Sequence, residues 1–377
     1  MTLIRALAIH LGNFSNYRPL KIEDLKEKVS TVKHKFKTNI WTTRVILPKI
    51  VQDHSTTFKG ASSQQVSERD LEKIIENSEE LIKELGIDFV AIPFDYNSLR
   101  KIRTKFVELF SVSNRLFFSL NIGNLTGDLP IKESKDSIQL LKEIFESNGE
   151  EACTRFAISF GGQPETAYFP DTAAKNFGFS LSLRYVNDIL NRLGDKKDLS
   201  DTIESIARPI QNEALRVQKY ANMKFLGIDL SLSPWMKESI LKLIEEVGDI
   251  TEISPGFYTS IWKLNEAIMN TKKIKKIGFN EVMLPVAEDS LLKEYFASRK
   301  MTITELIGAI SVCVAGLDMV AVSANLKNEV IEKLVLDSIS ISKARKKKIG
   351  IRLILANGKA GGEIKLSRFG KVPVIKI

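Results

Sequence analysis

Two spacings of apolar residues take turns along this chain. Short β-branched or aromatic runs, at residues 3–10, 41–50, 88–93 (DFVAIP), 116–121 (LFFSLN), 155–160 (RFAISF), 225–232 (FLGIDLSL), 277–284, 317–322, 350–355 and 371–375, read as buried strands. Between them, residues 21–35, 67–86, 99–110, 134–147, 172–193, 199–222, 237–247, 257–270, 288–298, 302–314 and 328–346 carry the helical pattern. Ser67-Glu-Arg-Asp70 is a capping-box-like start with Asp at the usual Glu or Gln position, and Gly86 is a natural stop for the same helix. Residues 52–65, 122–130 and 161–170 read as loops. About ten strands alternating with helices make this an α/β protein whose sheet is covered on both faces. The pattern admits one large βα barrel over residues 1–377 or an open doubly wound sheet. A β-hairpin is expected near 350–377, with Gly358–Gly362 (GKAGG) joining its strands.

Composition narrows the class. The chain has 377 residues, 44% hydrophobic and 27% charged, as expected for a globular protein with a sizeable core. No apolar run reaches the roughly 18 residues of a membrane span, and the N-terminal segment lacks a small-residue cleavage site, so a soluble cytoplasmic protein is expected. Cys153 and Cys313 have neither metal-ligand nor redox spacing and read as buried apolar residues. The net charge of +9 suits an anionic partner. Its one dense run, Lys343–Lys348, sits at a helix end, where cations complement the dipole, so nucleic-acid binding is not the favoured reading.

In parallel βα architectures functional groups collect beyond the C-terminal strand ends. That rule selects Asn121 and Gly123, Gly161 and Gly162, Asp229 with Ser231 and Ser233, Glu281, Glu288 and Asp289, with Asp95 and Asp318 at neighbouring strands. Gly161-Gly162 permits close backbone approach to an anion, or is a turn leaving a strand. On a strand, Asp229, Ser231 and Ser233 share one face while Ile228, Leu230 and Leu232 share the other. That polar face either lines a site or forms a hydrogen-bonded structural network. Asp229 and Glu281 are the candidate catalytic acid/base groups. Asp229, Glu281 and Glu288 together are candidate oxygen ligands for Mg²⁺. Arg44, mid-strand, either clamps an anionic substrate or pairs with a buried carboxylate. Among the three histidines, His10 ends the first strand, while His34 and His54 lie in charged or polar segments. No Gly-x-Ser-x-Gly elbow is present, which argues against a serine hydrolase of that type.

Phe225-Leu-Gly-Ile-Asp-Leu-Ser-Leu-Ser-Pro-Trp235, Val312-Cys-Val-Ala-Gly-Leu-Asp-Met-Val-Ala-Val322 and the ending Gly361-Gly-Glu-Ile-Lys-Leu-Ser-Arg-Phe-Gly-Lys-Val-Pro-Val-Ile-Lys-Ile377 resemble the uncharacterised domain-of-unknown-function family 711, the PFL family. Leu120-Asn-Ile-Gly123 and Val282-Met-Leu-Pro-Val-Ala-Glu-Asp289 look like two more of its blocks. The resemblance implies a ten-stranded α/β barrel like that of the pyruvate-formate-lyase-type glycyl radical enzymes. Arg368-Phe-Gly-Lys371 is not the radical glycine motif, so radical catalysis is not expected. The favoured reading is an enzyme acting on a small anionic metabolite by carboxylate acid/base or Mg²⁺-assisted chemistry. The alternative is a non-catalytic ligand-binding or scaffold protein working as a homo-oligomer.

Overall fold

The computed structural model describes residues 3–12, 22–50, 67–99, 102–194, 198–313 and 316–377. The expected loop at 52–65 and His54 lie outside the described residues. Strands β1 (Leu3–Leu11), β2 (Ile40–Ile46), β3 (Phe89–Asp95), β4 (Leu116–Asn121) and β5 (Phe156–Phe160) lie side by side in chain order, all parallel. Strand β6 (Phe177–Arg184) pairs antiparallel with the other edge of β1, and β7 (Phe225–Asp229) lies parallel beyond it. After β8 (Val320–Ser323), β9 (Ile349–Ile351) closes the far edge, antiparallel to β5, completing an eight-stranded sheet. Strands β10 (Leu353–Ala356) and β12 (Gly370–Ile375) flank β8 in parallel, and β11 (Glu363–Leu366) pairs antiparallel with β12, giving a second sheet of four strands. The fold is mixed α/β. Among the described residues, no helix is long and apolar enough to cross a membrane.

The two faces of the large sheet differ in side-chain size. Ile4, Leu7 and Ile9 of β1 join the main apolar core with Leu25, Val29 and Val32 of the helix Ile22–Lys35. On the other face Ala6, Ala8 and Ala91 are small, and with Ile46 they seat Ala167, Phe169 and Ala174. The segment from Gly161 to Asn176 therefore lies against the sheet's inner face. Its Thr166 and Thr172 are fully buried, and the Thr172 hydroxyl satisfies Thr166 by accepting from its N–H and donating to its carbonyl. Gly12 allows this approach: a Cβ there would sit 2.2 Å from the carbonyl carbon of Lys175.

Several expectations are corrected. Residues 172–193 are not a helix; β6 runs through them, followed by a short helix at Val186–Leu190. The deciding pattern is Phe179, Leu181 and Leu183 facing the core, with Ser180 and Ser182 between them, a period of two rather than 3.6. Residues 277–284 form no regular strand, because Gly278 and Asn280 both adopt positive φ, 86° and 58°, and break the extended run. Only the bridges Ile228–Lys276 and Leu232–Val282 remain there. The stretch 350–355 divides at Arg352 between the two sheets. Residues 358–362 do not form the turn of the antiparallel pair; that turn lies between Leu366 and Gly370. The helix Glu68–Leu85 has the Ser67–Asp70 capping box and ends on Gly86 in the left-handed conformation.

Candidate functional site

A cavity of about 100 Å³ opens where the N-terminal ends of β1–β5 meet the chain beyond the C-terminal end of β7. It has room for about seven to ten water-sized spheres, the scale of a small metabolite. Trp41 and Thr42 (β2), Phe89 (β3), Phe117 (β4) and Ala157 (β5) line it, with Ser233 and Trp235 opposite. Deeper in stand Arg44, Tyr168, Phe169 and Asp171, the last three from the segment seated on the small-residue face.

The charges in this cavity are unequally paired. Arg5 donates to Glu288 Oε2 at 2.7 Å and to the carbonyl of Pro234 at 2.7 Å, among the rings of Trp41, Tyr168 and Trp235. Arg352 donates through Nε to Asp318 Oδ1 at 2.5 Å and through one Nη to Asp318 Oδ2 at 2.9 Å and Glu288 Oε1 at 3.1 Å. Burial alone would raise the Glu288 carboxyl, but Arg352 and Arg5 outweigh it and hold it below its ordinary value. Two arginines and two carboxylates thus neutralise one another.

Arg44 and Arg368 stand outside that set. Arg44 is half-buried; it donates to the Thr42 hydroxyl at 3.1 Å and the Ala167 carbonyl at 3.0 Å, and lies 5.0 Å from the Phe169 ring centre. Among the described residues no carboxylate forms an ion pair with it. Burial, with Arg5 and Arg368 nearby, lowers its pKa to about 9. Arg368, at the mouth, packs over the rings of Phe89 and Phe369, and burial lowers its pKa too. Two guanidiniums that repel each other beside an aromatic wall form a site that an anion would relieve.

Asp171 also lines the cavity, only 6% exposed, and among the described residues neither carboxyl oxygen is held by a cation or a backbone N–H. Burial pushes its pKa up to about 7, against the opposing pull of the nearby Ser159 hydroxyl and Lys348. Among the described residues the Ser159 hydroxyl has no other partner, and it stands where it can donate to Asp171.

The other candidates lie elsewhere. Asp229 is fully buried and accepts five hydrogen bonds: from the hydroxyls of Thr166 and Ser231, both at 2.6 Å, and from the N–H groups of Ser231, Phe279 and Asn280. Burial raises its pKa and these bonds oppose the shift. Ser231 belongs to the same network and does not line the cavity, whereas Ser233 does. Glu281 pairs with Arg345 at 2.9 Å and Lys347 at 3.4 Å, away from the cavity. Asn121, Gly123, Gly161 and Gly162 gather at the opposite ends of β4 and β5. There the Gly162 N–H donates to Asn121 Oδ1 (2.9 Å), the Gly161 N–H to the Gly123 carbonyl (3.0 Å), and Asn121 Nδ2 to Asp95 (3.3 Å). These loops bind each other.

Asp229, Glu281 and Glu288, the expected Mg²⁺ ligands, occupy three separate networks, each already supplied with donors or cations. Among the described residues no three His, Cys, Asp or Glu side chains form a metal-holding group. Asp289 instead caps two helices, accepting from Ile240 and Leu241 N–H on one oxygen and from Leu291 and Leu292 N–H on the other. His10 meets Ser180 Oγ at 2.6 Å and lies 3.7 Å from Glu165. The cavity does not reach this row, and burial drives the imidazole pKa down to about 4 despite Glu165, leaving it neutral. In the basic run, Lys343 donates to the carbonyls of Leu125 and Gly127 and Arg345 to those of Ile310 and Cys313, so both serve the fold.

With this geometry in place, comparison with known proteins adds kinship. A family model described as "Uncharacterised ACR (DUF711)" matches residues 15–366. The chain belongs to this family. A UPF0210 protein of Caldicellulosiruptor saccharolyticus is 26% identical over 325 residues, covering 79% of this chain and 72% of the relative. One from Lactobacillus helveticus is 24% identical, covering 76% and 69% respectively. One from Methanosarcina acetivorans is 22% identical, covering 90% and 80%. Those names state no reaction, so chemistry must be argued from the side chains.

Of the cavity's charged groups, strand-end reasoning selected Glu288 and Asp318, and mid-strand position selected Arg44. Arg5 and Arg352 carry the same signal as Arg44, a charge inside an apolar strand pattern. Asp171 and Tyr168 come from an irregular segment and have no comparable signature.

Proposed function

We propose that this protein is an enzyme acting on a small organic anion, which binds in the cavity through Arg44 and Arg368 and rests its apolar part on the aromatic walls. The observation that carries the reading is the division of the four cavity arginines. Arg5 and Arg352 are neutralised by Glu288 and Asp318, while Arg44 and Arg368 have no carboxylate partner among the described residues. Phe89, Phe117, Phe169, Phe279 and Phe369 offer an apolar, π-rich surface beside them. The same reading takes the two sheets as parts of one closed ten-stranded barrel in a single domain. Its support is the series of backbone links outside the regular ladders: Ile228–Lys276, Leu232–Val282, Val286 N–H to the Asp318 carbonyl, and Arg352 N–H to the Leu317 carbonyl.

Calorimetric titration with phosphate, pyruvate, 2-oxobutyrate, succinate and phenylpyruvate tests the assignment. At least one of the four organic anions should bind, with phosphate as the inorganic control, and with affinity falling about tenfold or more in Arg44→Gln and further in the double variant with Arg368→Gln. If the wild-type protein binds none of them, or the double variant binds equally well, the anion site is not here.

A further inference from the structure

We propose that Asp171 is the proton-transfer group of this cavity, and that the ligand is a small 2-oxo carboxylate with an apolar tail. The inference rests on the anion-binding reading and adds the chemistry to it. Three observations converge. First, Asp171 lines the same cavity as Arg44, is more than nine-tenths buried, and among the described residues neither oxygen is held by a cation or a backbone N–H, with the Ser159 hydroxyl the one donor beside it. A buried carboxyl so poorly supplied with donors is costly, and in a ligand cavity it keeps an oxygen available to the ligand. Every other carboxylate on the cavity, Glu288 and Asp318, is held by arginine.

Second, the backbone makes room for it. Gly350 of β9 faces Asp171, and a Cβ there would lie 2.7 Å from Asp171 Oδ2. Third, the charged groups around it leave its protonation responsive. The Ser159 hydroxyl, Lys348 and Arg352 favour the ionised form, and burial and Asp318 favour the neutral form. The balance places its pKa at about 7, where a carboxyl can both take and return a proton.

The substrate class follows from matching groups. A carboxylate fits one unpaired guanidinium, and the aromatic walls take an apolar tail. The other guanidinium stands ready for charge that develops during reaction. A carbon next to a ketone supplies that charge. Asp171 carboxylate accepts a proton from this carbon, and the C–H electron pair forms the enolate C=C. The negative charge moves onto the ketone oxygen, beside a guanidinium. Return of the proton regenerates both the carboxylate and the ketone, so no oxidant, reductant or second substrate is consumed.

The test is deuterium exchange at C3 of pyruvate, 2-oxobutyrate and phenylpyruvate, followed by proton NMR in D₂O with the full chain, beside calorimetric binding of the same compounds. Wild-type protein should accelerate exchange of at least one bound compound, with a rate that rises with pH up to about 7 and levels off above it. Asp171→Asn should lose about 100-fold or more in exchange while still binding the compound. Gly350→Ala should slow exchange by displacing the carboxylate. If Asp171→Asn does not fold, the pH profile and Gly350→Ala decide. Binding without exchange in the wild type, a flat pH profile, or exchange undiminished in Asp171→Asn overturns the role of Asp171 and leaves the anion site standing. Absence of binding by the wild type sinks the anion site itself.

Discussion

Replacing Asp229 with alanine separates a scaffold role from a chemical one. Its two oxygens accept five hydrogen bonds, three of them from backbone N–H groups at Ser231, Phe279 and Asn280. Hydroxyls can turn to new partners, but these backbone donors are fixed by a chain held at positive φ on Gly278 and Asn280. Each buried donor left unpaired costs about 1–3 kcal/mol. Removing a carboxylate whose ionised form burial disfavours returns part of that cost, and neighbouring losses are not additive, so the net is roughly 3–5 kcal/mol. Unfolding entropy of about 2.1 cal/mol/K per residue, over 377 residues, gives roughly 0.8 kcal/mol/K, so the melting temperature should fall by about 4–6 °C. Differential scanning calorimetry reads that shift. Calorimetric titration with any anion that the wild type binds, well below the melt, should give affinity within about twofold of wild type, because Asp229 does not line the cavity. An unchanged melting temperature together with lost binding or turnover would refute the structural assignment and return Asp229 to the chemistry.

Three further outcomes are expected. Gly278→Ala places a Cβ 2.1 Å from Asp229 Oδ2 at φ 86°, so it should destabilise by about 3 kcal/mol or more, read as a lower urea midpoint; a midpoint unchanged from wild type would contradict the close approach. The Asp171 carboxyl keeps its proton to about pH 7 when folded but loses it near 4 when unfolded, so its contribution to stability falls as pH rises between those values and stays low above. Asp171→Asn should therefore gain on wild type as pH rises from 4.5 to 8, by at most about 4 kcal/mol in paired urea titrations, and a pH-independent difference would count against the buried carboxyl. Cys153 is fully buried with its thiol pKa pushed up to about 12, so a thiol reagent at pH 8 should label it only on unfolding, which peptide mapping can follow.

The fold was legible wherever one spacing dominated. The helices Phe257–Asn270 and Asn328–Arg345 and strand β4 follow the periodicity almost to the residue. Strand β6 escaped because its serines, which face away from the core, sit beside apolar residues that also fit a helical count over 172–193. The irregular course at 277–284 escaped for the opposite reason. Its composition suits a strand, but the chain turns at positive φ on Gly278 and Asn280, where two successive N–H groups, at Phe279 and Asn280, donate to Asp229. Among site residues, the polar face of Asp229 and Ser231 was readable, but whether it formed a network or a site depended on Thr166 and Gly278, distant in sequence.

The position of the cavity follows from the directions of the strands. Strands β1–β5 run one way, while β6, β7 and β9 run the other. One end of the assembly is therefore the N-terminal end of the first set and the C-terminal end of the second. A search at C-terminal strand ends divides its candidates between the two ends: Asn121, Gly123, Gly161 and Gly162 fall at one, and Ser233 and Glu288 at the other. What survives a change of strand direction is charge within an apolar strand. Arg5, Arg44 and Arg352 each interrupt such a run, and all three line the cavity. A guanidinium largely shielded from water there must find a carboxylate, a carbonyl or a ligand. Arg5 and Arg352 meet Glu288 and Asp318; among the described residues Arg44 meets a hydroxyl, a carbonyl and a ring but no carboxylate. That difference in partners, rather than proximity to a strand end, is what the proposed anion site at Arg44 rests on.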